Sequence, residues 1–381
     1  MKYYLWIIGC QYNEWDGARV KYFLDQLDFL ETKKPADAEI VIILACSVRQ
    51  TAIDRIFGRI KNWKDKKILV GGCILDSDKK KFTSRGIKLF DSSSFESLAK
   101  LLPKDVGPSS NLTIQKFNPS TALGAGNTSN YVPIMIGCNN FCSYCAVPYT
   151  RGREKSRPYE DVILDVKALI HRGESEIMLL GQNVNSYKIN QKTKPQGGPF
   201  GIKSDAAESS RAESRDLNSK LKSKSDFAIL LEDLNDLPGN FIISFMSNHP
   251  KDMAGDIIEA VAILPKVKKE IHLPLQSGSD KILKAMNRPY TKSQYLKIID
   301  KIRKANSDIK ITTDVIVGFP GETEKDFEET IEVFKKVNFS LAYVNKYSPR
   351  SGTAAYKLGD PVLWSEKQRR WRILNDLVNK K

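Results

Sequence analysis

The chain of 381 residues alternates short, nearly continuous apolar runs with segments of helical spacing. In its first part the runs are Tyr3–Gly9, Glu39–Ala45 and Lys66–Gly72, each of strand length. Apolar strands separated by helices are typical of a parallel sheet that helices cover on both faces. The sequence therefore predicts an α/β fold that begins with a small doubly wound parallel-sheet domain over residues 1–103.

The same alternation resumes at residue 131 and continues to residue 360. The six strand candidates of this part are Val132–Ile136, Glu176–Leu180, Phe241–Phe245, Ile271–Leu275, Ile311–Val317 and Leu341–Lys346. Six successive βα units in one domain predict a partial (βα)6 barrel of the TIM type.

Three further segments depart from this alternation, and the second of them is an insertion within the barrel. Residues 104–130 are rich in Pro, Gly, Ser, Thr and Asn, and we interpret them as a linker. The stretch at about 190–225 is dense in Lys, Ser, Gly and Asp, which predicts a disordered insertion. Residues 361–381 have a basic amphipathic pattern, which predicts a helix that packs on the barrel or, alternatively, contacts RNA.

The chain carries 60 Lys and Arg against 45 Asp and Glu, a net charge of +15. Such an excess favours a polyanionic partner, most simply nucleic acid, although solubility alone is the plain alternative. No run of 18 apolar residues occurs, and no small-residue cleavage site follows the first apolar run. We therefore expect a cytoplasmic protein without a membrane partner, and a monomer.

Three of the six cysteines, Cys138, Cys142 and Cys145, have C-x3-C-x2-C spacing in a loop that follows a predicted barrel strand. Three thiolates can bind three irons of a four-iron cluster and leave the fourth iron open to a ligand that reacts there. A zinc site would require a fourth Cys or His nearby, and the next histidine, His171, lies 26 residues further on. The spacing therefore predicts a catalytic iron–sulfur cluster.

The other three cysteines, Cys10, Cys46 and Cys73, are far apart in sequence, but each directly follows a predicted parallel strand. The carboxyl ends of parallel strands gather at one edge of a sheet, where ligands bind. Three buried core cysteines are the alternative interpretation. The repeated topological position favours a second metal site.

Several polar and glycine-containing segments also follow predicted strands. Because such positions usually face the site of a barrel, we assign them to binding the cofactor or the target base. Helix capping and simple turns are the alternatives. These residues are Gln182, Asn183, Gln276, Ser277, Gly318, Phe319 and Pro320. Arg157 lies beyond the cysteine loop, together with Arg151 and Arg153. It is a further candidate for binding the cofactor carboxylate or RNA phosphates. A solvated arginine is the alternative.

Longer motifs cover nearly the whole chain apart from the linker and the insertion. They are GCNNFCSYCAVPYTRGREKSR at 137–157, LGQNVNSY at 180–187, HLPLQSGSDKILKAMNR at 272–288, DVIVGFPGET at 314–323 and YSPRSGT at 347–353, together with the N-terminal GCQYNEWD and ACSVRQTAIDRIFGRI. With these motifs the chain resembles the radical S-adenosylmethionine methylthiotransferases.

The resemblance implies two four-iron, four-sulfur (4Fe-4S) clusters, the second at Cys10, Cys46 and Cys73, and S-adenosylmethionine as cofactor. One S-adenosylmethionine would supply a methyl group to sulfur, and another would be cleaved with an electron from a reductant such as flavodoxin or ferredoxin. The resulting radical would remove hydrogen from an unreactive C–H bond, to which the methylthio group is then transferred.

The segments at 137–157 and 180–187 resemble most the branch that acts on isopentenyladenosine at position 37 of tRNA, in the single-stranded anticodon loop. Alternatives are the branches that modify threonylcarbamoyladenosine in tRNA or an aspartate of a ribosomal protein, and a non-enzymatic iron–sulfur electron-transfer protein. The β-rich RNA-binding (TRAM) domain with which the family usually ends has no counterpart in this sequence.

Overall fold

A computed structural model describes residues 1–92, 94–103, 129–189 and 224–380. Nearly all of the predicted linker and of the predicted insertion lies outside these residues. The described chain forms two compact units: the first contains residues 1–131 and 146–152, and the second contains the remainder. None of the helices in the described part has the length and apolar character needed to cross a membrane.

The first unit contains a five-stranded parallel sheet with the strand order β2-β1-β3-β4-β5. Its strands are β1 Lys2–Ile7, β2 Leu30–Glu31, β3 Ile40–Cys46, β4 Lys67–Cys73 and β5 Lys88–Leu89. Its helices are α1 Gln11–Asp25, α2 Gln50–Ile60, α3 Asp76–Thr83, α4 Phe95–Ala99 and the short α5 Val147–Thr150.

Both faces of this sheet are covered, as the apolar pattern predicts. Every residue of β3 is buried, and alternate side chains enter different cores. Ile42 packs in a cluster that includes Phe23 of α1, whereas Ile43 packs in a second cluster that includes Ile56 of α2. The period of two along a strand sends successive side chains to opposite faces. The doubly wound architecture is thereby confirmed.

Two elements of the first unit were not anticipated from the sequence. Strand β2 has only two residues, and α3, with the sequence DSDKKKFT, has a single large apolar side chain, Phe82. Such a segment has no apolar period to detect. A tertiary contact supports α3 instead, because the Ser47 hydroxyl donates a 2.8 Å hydrogen bond to the buried Asp78 carboxylate.

The second unit contains six further strands arranged as two three-stranded sheets, β10-β9-β6 and β11-β12-β13. They are β6 Tyr131–Pro133, β9 Glu176–Leu180, β10 Ile242–Phe245, β11 Glu270–His272, β12 Lys310–Val317 and β13 Leu341–Lys346. Ile243 of β10 links the sheets, since it receives a hydrogen bond from the Lys268 N–H (2.9 Å) and donates one to the Lys266 carbonyl (2.7 Å). The six strands therefore follow one another in chain order, which confirms the partial barrel.

A separate antiparallel pair, β7 Met135–Ile136 and β8 Lys155–Ser156, flanks the cysteine loop in sequence. The helices of the second unit are α6 Tyr159–His171, α7 Asp226–Asn235, α8 Gly255–Ile263, α9 Asp280–Ala285, α10 Lys292–Ala305, α11 Glu324–Val337 and α12 Trp364–Val378. Helix α12 is the predicted basic helix, and it packs on the barrel: Trp371 donates a 2.9 Å hydrogen bond to the Val344 carbonyl of β13.

Gly72, which precedes Cys73 in β4, has a φ of +98°, and a Cβ there would lie 2.5 Å from the Ala45 carbonyl oxygen. We expect Gly72→Ala to lower the free energy of unfolding by about 2 kcal/mol, because it adds a clash to a left-handed backbone conformation. Urea denaturation of the apoprotein followed by tryptophan fluorescence measures this. Gly58→Ala is the matched control, because Gly58 is helical with no heavy atom within 4 Å of an added Cβ; it should be neutral or stabilising.

Candidate functional site

The sheet order of the first unit brings Cys10, Cys46 and Cys73 to one edge. Cys46 and Cys73 are paired residues at the carboxyl ends of the neighbouring strands β3 and β4. Cys10 lies three residues beyond β1, which is the other neighbour of β3. Cys10 lies near enough to both other thiols to act on the pKa of Cys46 and of Cys73.

Asn13 stabilises the backbone around these cysteines. Its side chain is fully buried, and its amide nitrogen donates 3.0 Å hydrogen bonds to the carbonyls of Ile8 and Ala45. It thereby joins the ends of β1 and β3. Its amide oxygen lies 3.6 Å from the Cys73 sulfur.

Arg151 is the unexpected member of this site. Its Nε lies 2.7 Å from the Cys73 sulfur, and its Nη2 lies 2.7 Å from Asp16 and 3.0 Å from the Asn13 amide oxygen. The guanidinium also stacks on the ring of Tyr12 at 4.4 Å. The sequence had grouped Arg151 with the arginines that follow the other cysteine loop, and no spacing or periodicity links it to Cys73.

Burial raises the pKa of the Cys73 thiol to about 12, and the positive charge of Arg151 acts in the opposite direction. Burial also raises the pKa of Cys46. Metal binding requires thiolates, so the binding of iron at this edge would release protons.

The second set, Cys138, Cys142 and Cys145, lies on a loop whose backbone is hydrogen-bonded to the turn after α9. Phe141 has a φ of +47°, and its carbonyl receives a 2.9 Å hydrogen bond from the Asn287 amide. The N–H of Ser143 donates to the Met286 carbonyl, also at 2.9 Å. The turn after α9 thus holds the loop in its conformation.

A buried arginine is also present beside this second set. Arg288 Nη1 lies 3.5 Å from the Cys142 sulfur, while its Nη2 donates to the Pro274 carbonyl (3.0 Å) and its Nε to the Tyr290 hydroxyl (2.9 Å). Burial raises the pKa of Cys138. Arg288 is the last residue of one of the family motifs, but its contact with sulfur depends on the tertiary fold.

Gln182 is adjacent to the cysteine loop. Its side-chain oxygen accepts a 2.6 Å hydrogen bond from the N–H of Gly137, the residue before Cys138. Gln182 therefore helps to orient the backbone that leads into the first cysteine. Ser277 is fully buried and accepts a hydrogen bond from the Ser279 N–H at 3.2 Å, just before α9, so it contacts the backbone that leads into the next helix.

Several buried polar atoms at or just beyond the ends of β9, β10 and β11 have no hydrogen-bond partner among the described residues. They are Asn183 Oδ1, Ser244 Oγ, Asn248 Oδ1, His249 Nε2 and Gln276 Oε1. Buried polar atoms are nearly always paired in native proteins, and unpaired ones indicate a missing ligand or water. Their shared position at the carboxyl ends of barrel strands is where a barrel binds its ligand.

The loop Gly318-Phe319-Pro320 is buried and packed by its own neighbours. Gly318 has a φ of +71°, and a Cβ there would lie 2.4 Å from Cγ of Lys367 in α12. Phe319 packs edge-on against Tyr347 at 5.2 Å. These contacts fix the position of the loop at the end of β12.

Arg157 makes contacts of a structural kind as well. It donates to the Pro133 carbonyl at 2.7 Å and forms a 2.8 Å ion pair with Asp165, whose side chain is 1% exposed. It thus links the strand before the cysteine loop to α6.

The donor chemistry of each cysteine set fits a four-iron cluster. Three thiolates can bind three of its irons and leave the fourth iron for another ligand.

Residues 132–334 match the model of the Radical SAM superfamily, and residues 2–90 match that of Uncharacterized protein family UPF0004. A tRNA-2-methylthio-N(6)-dimethylallyladenosine synthase from Thermoanaerobacter pseudethanolicus is 39% identical over 99% of this chain and 78% of its own length. The chain belongs to this radical SAM methylthiotransferase family. An enzyme with the same name from Carboxydothermus hydrogenoformans is 36% identical over 99% of this chain and 83% of its own.

The fold likeness extends beyond the family. The cobalamin-dependent S-adenosylmethionine radical enzyme OxsB has a TM-score of 0.53, with 11% identity over 100% of this chain and 55% of that one. At this identity the likeness concerns the fold alone, and it agrees with the α/β architecture described above.

His249 gives a pH-dependent prediction. Its Nδ1 accepts the Lys251 N–H (3.2 Å), and burial, with the nearby charges of Arg288 and Lys251, lowers its pKa to about 2. Below a pH of about 6.5 the unfolded chain binds a proton at this histidine that the folded protein does not bind. The contribution of neutral His249 to the free energy of unfolding is therefore complete above that pH. As the pH falls below it, this contribution decreases by about 1.4 kcal/mol per pH unit.

The measurement is apoprotein unfolding in guanidinium at about pH 7 and about pH 5. The stability difference between the wild type and His249→Gln should change by about 2 kcal/mol between the two conditions. His171→Gln, at an exposed position in α6, serves as the control and should show no such change. An equal pH dependence of the wild type and His249→Gln would contradict the prediction.

Proposed function

We propose that this protein is a radical S-adenosylmethionine methylthiotransferase that inserts a methylthio group at C2 of N6-isopentenyladenosine at position 37 of tRNA. The observation that carries the proposal is the 36–39% identity, over 97–100% of the chain, to enzymes named tRNA-2-methylthio-N(6)-dimethylallyladenosine synthase. The two three-cysteine sites agree with a reaction that needs both a radical and a sulfur source.

In this proposal Cys138, Cys142 and Cys145 hold the catalytic 4Fe-4S cluster, and Cys10, Cys46 and Cys73 hold a second one. When bound, the first supplies the electron that cleaves S-adenosylmethionine, and the second is associated with the inserted sulfur. Asn287 and the turn after α9 keep the first loop in its binding conformation. Asn13 holds the ends of β1 and β3 in the first unit, because its amide nitrogen donates to the carbonyls of Ile8 and Ala45.

The unpaired oxygens of Asn183 and Gln276 are the proposed contacts to S-adenosylmethionine or to the target base. Both belong to buried side chains that depend on a ligand to complete their hydrogen bonds. The proposed cofactor site is completed by residues that hold the backbone around it, namely Gln182, Ser277, the loop Gly318-Phe319-Pro320 and Arg157.

The net charge of +15 supports a tRNA partner. The anticodon loop is single-stranded, so its bases can be splayed out and bound by a protein. A small electron-transfer protein such as flavodoxin or ferredoxin would supply electrons, and a cytoplasmic monomer is the proposed state.

The activity test uses the anaerobically reconstituted protein with dithionite, S-adenosylmethionine and tRNA that carries isopentenyladenosine. We expect 5′-deoxyadenosine, together with the 2-methylthio nucleoside detected by mass spectrometry. Cys142→Ala should abolish both products, because it removes one ligand of the catalytic cluster.

A variant of Cys73 separates the two sites. Cys73→Ala should abolish the methylthio product but retain 5′-deoxyadenosine formation. A methylthio product on threonylcarbamoyladenosine or on a ribosomal protein, with none on isopentenyladenosine, would show that the proposed substrate is wrong. An intact cluster without S-adenosylmethionine cleavage would instead favour an electron-transfer protein.

The assignment of Gln276 to the cofactor, and not to the target base, predicts a loss of cofactor affinity. Gln276→Ala should weaken S-adenosylmethionine binding to the reconstituted protein by roughly two- to tenfold, the value of one net hydrogen bond. Equilibrium dialysis measures this affinity. The control is Gln294→Ala, since Gln294 caps α10 through the Thr291 N–H, and its affinity should equal that of the wild type. Equal affinities of all three proteins would contradict the assignment.

A further inference from the structure

The contacts of Arg151 exceed what the folding of the first unit requires. Its side chain is 7% exposed, and its partner Asp16 is 1% exposed. Burial of charged groups costs free energy that only well-placed partners offset. Asp16, however, already has another cation, since Arg19 lies 3.6 Å from its carboxylate and is 4% exposed.

The Asp16 carboxylate is therefore shared between two buried guanidinium groups. A second anion beside Arg151 would complement its charge. The nearest candidate is the sulfur of Cys73, which lies 2.7 Å from Arg151 Nε. A cysteine that ligates a metal is a thiolate, so a metal cluster at this edge would supply that negative charge.

The geometry of Arg151 also requires a guanidinium. The Nε N–H points to Cys73 while Nη2 reaches Asp16 and the Asn13 amide oxygen. A planar fork makes both sets of contacts at once, whereas a lysine ammonium at the same place would be a single point charge. The Tyr12 ring beneath the guanidinium restricts its plane further.

We propose that Arg151 is a positioning residue for the first-unit cluster and raises its reduction potential. Asp16 and Asn13 hold one edge of the guanidinium so that Nε donates to the Cys73 sulfur. Hydrogen bonds to the sulfur atoms of a cluster and nearby positive charge favour its reduced form. Reduction here adds one electron from an external reductant, and no bond forms or breaks. The inference rests on the proposed function, because it requires a cluster at Cys10, Cys46 and Cys73.

The test uses the full chain with Cys138, Cys142 and Cys145 replaced by serine, so that only a first-unit cluster contributes. After anaerobic reconstitution, iron per chain and the midpoint potential are measured, the latter by a dithionite titration followed by electron paramagnetic resonance. We expect Arg151→Met to lower the ratio of reduced to oxidised cluster at a given potential at least tenfold. For one electron this corresponds to a midpoint potential that is lower by about 59 mV. The midpoint potential of Arg151→Lys should lie between that of Arg151→Met and that of the protein that retains Arg151.

Arg19→Met is the matched control. Arg19 is as deeply buried and also binds Asp16, and it donates a hydrogen bond to the Ser92 carbonyl. The midpoint potential of Arg19→Met should stay close to that of the protein that retains both arginines. Equal shifts in Arg19→Met and Arg151→Met, or no shift in Arg151→Met, would show a purely structural role.

If Arg151→Met folds but retains no iron, the midpoint potential of Arg151→Lys is the test. A value equal to that of the protein with Arg151 would overturn the inference. Circular dichroism of each apoprotein reports folding independently of iron. A parent chain that binds no iron would overturn the second cluster of the proposed function, and this inference with it.

Discussion

The parallel pairing of β1, β3 and β4 is the constraint on which the first site depends. Because the strands run in the same direction, their carboxyl ends meet at one edge, and the register aligns Cys46 with Cys73. A shift of one residue in either strand would turn its cysteine to the other face of the sheet. The two apolar cores that cover the sheet disfavour such a shift, since it would exchange the side chains that β3 packs into one core with those it packs into the other.

Both cysteine sets share a second physical feature, a buried arginine that donates toward one of three sulfurs. Arg151 contacts Cys73 in the first unit, and Arg288 contacts Cys142 in the second. In each case other N–H groups of the guanidinium bind protein acceptors and hold it in place. Fixed donors of this kind stabilise negative charge without the cost of reorganising solvent.

Several buried polar atoms at the carboxyl ends of β9, β10 and β11 have no hydrogen-bond partner among the described residues. Asn183 and Gln276 had been selected from the sequence because they follow strands, and both carry such an atom. Gly318 and Phe319 were selected by the same rule, yet they pack against Lys367 and Tyr347. Position after a strand therefore identifies a location, while the contacts made there differ from one selected residue to the next.

The sequence by itself determined the strand pattern, the doubly wound sheet, the partial barrel and the family, because apolar periodicity and closely spaced motifs are local properties of the chain. It did not reveal α3, which lacks an apolar period and is supported by the contact between Ser47 and Asp78. It also could not place Arg151 beside Cys73, 78 positions away. Such contacts arise only when the folded chain brings distant segments together, since burial and charge pairing select partners in space irrespective of their separation in sequence.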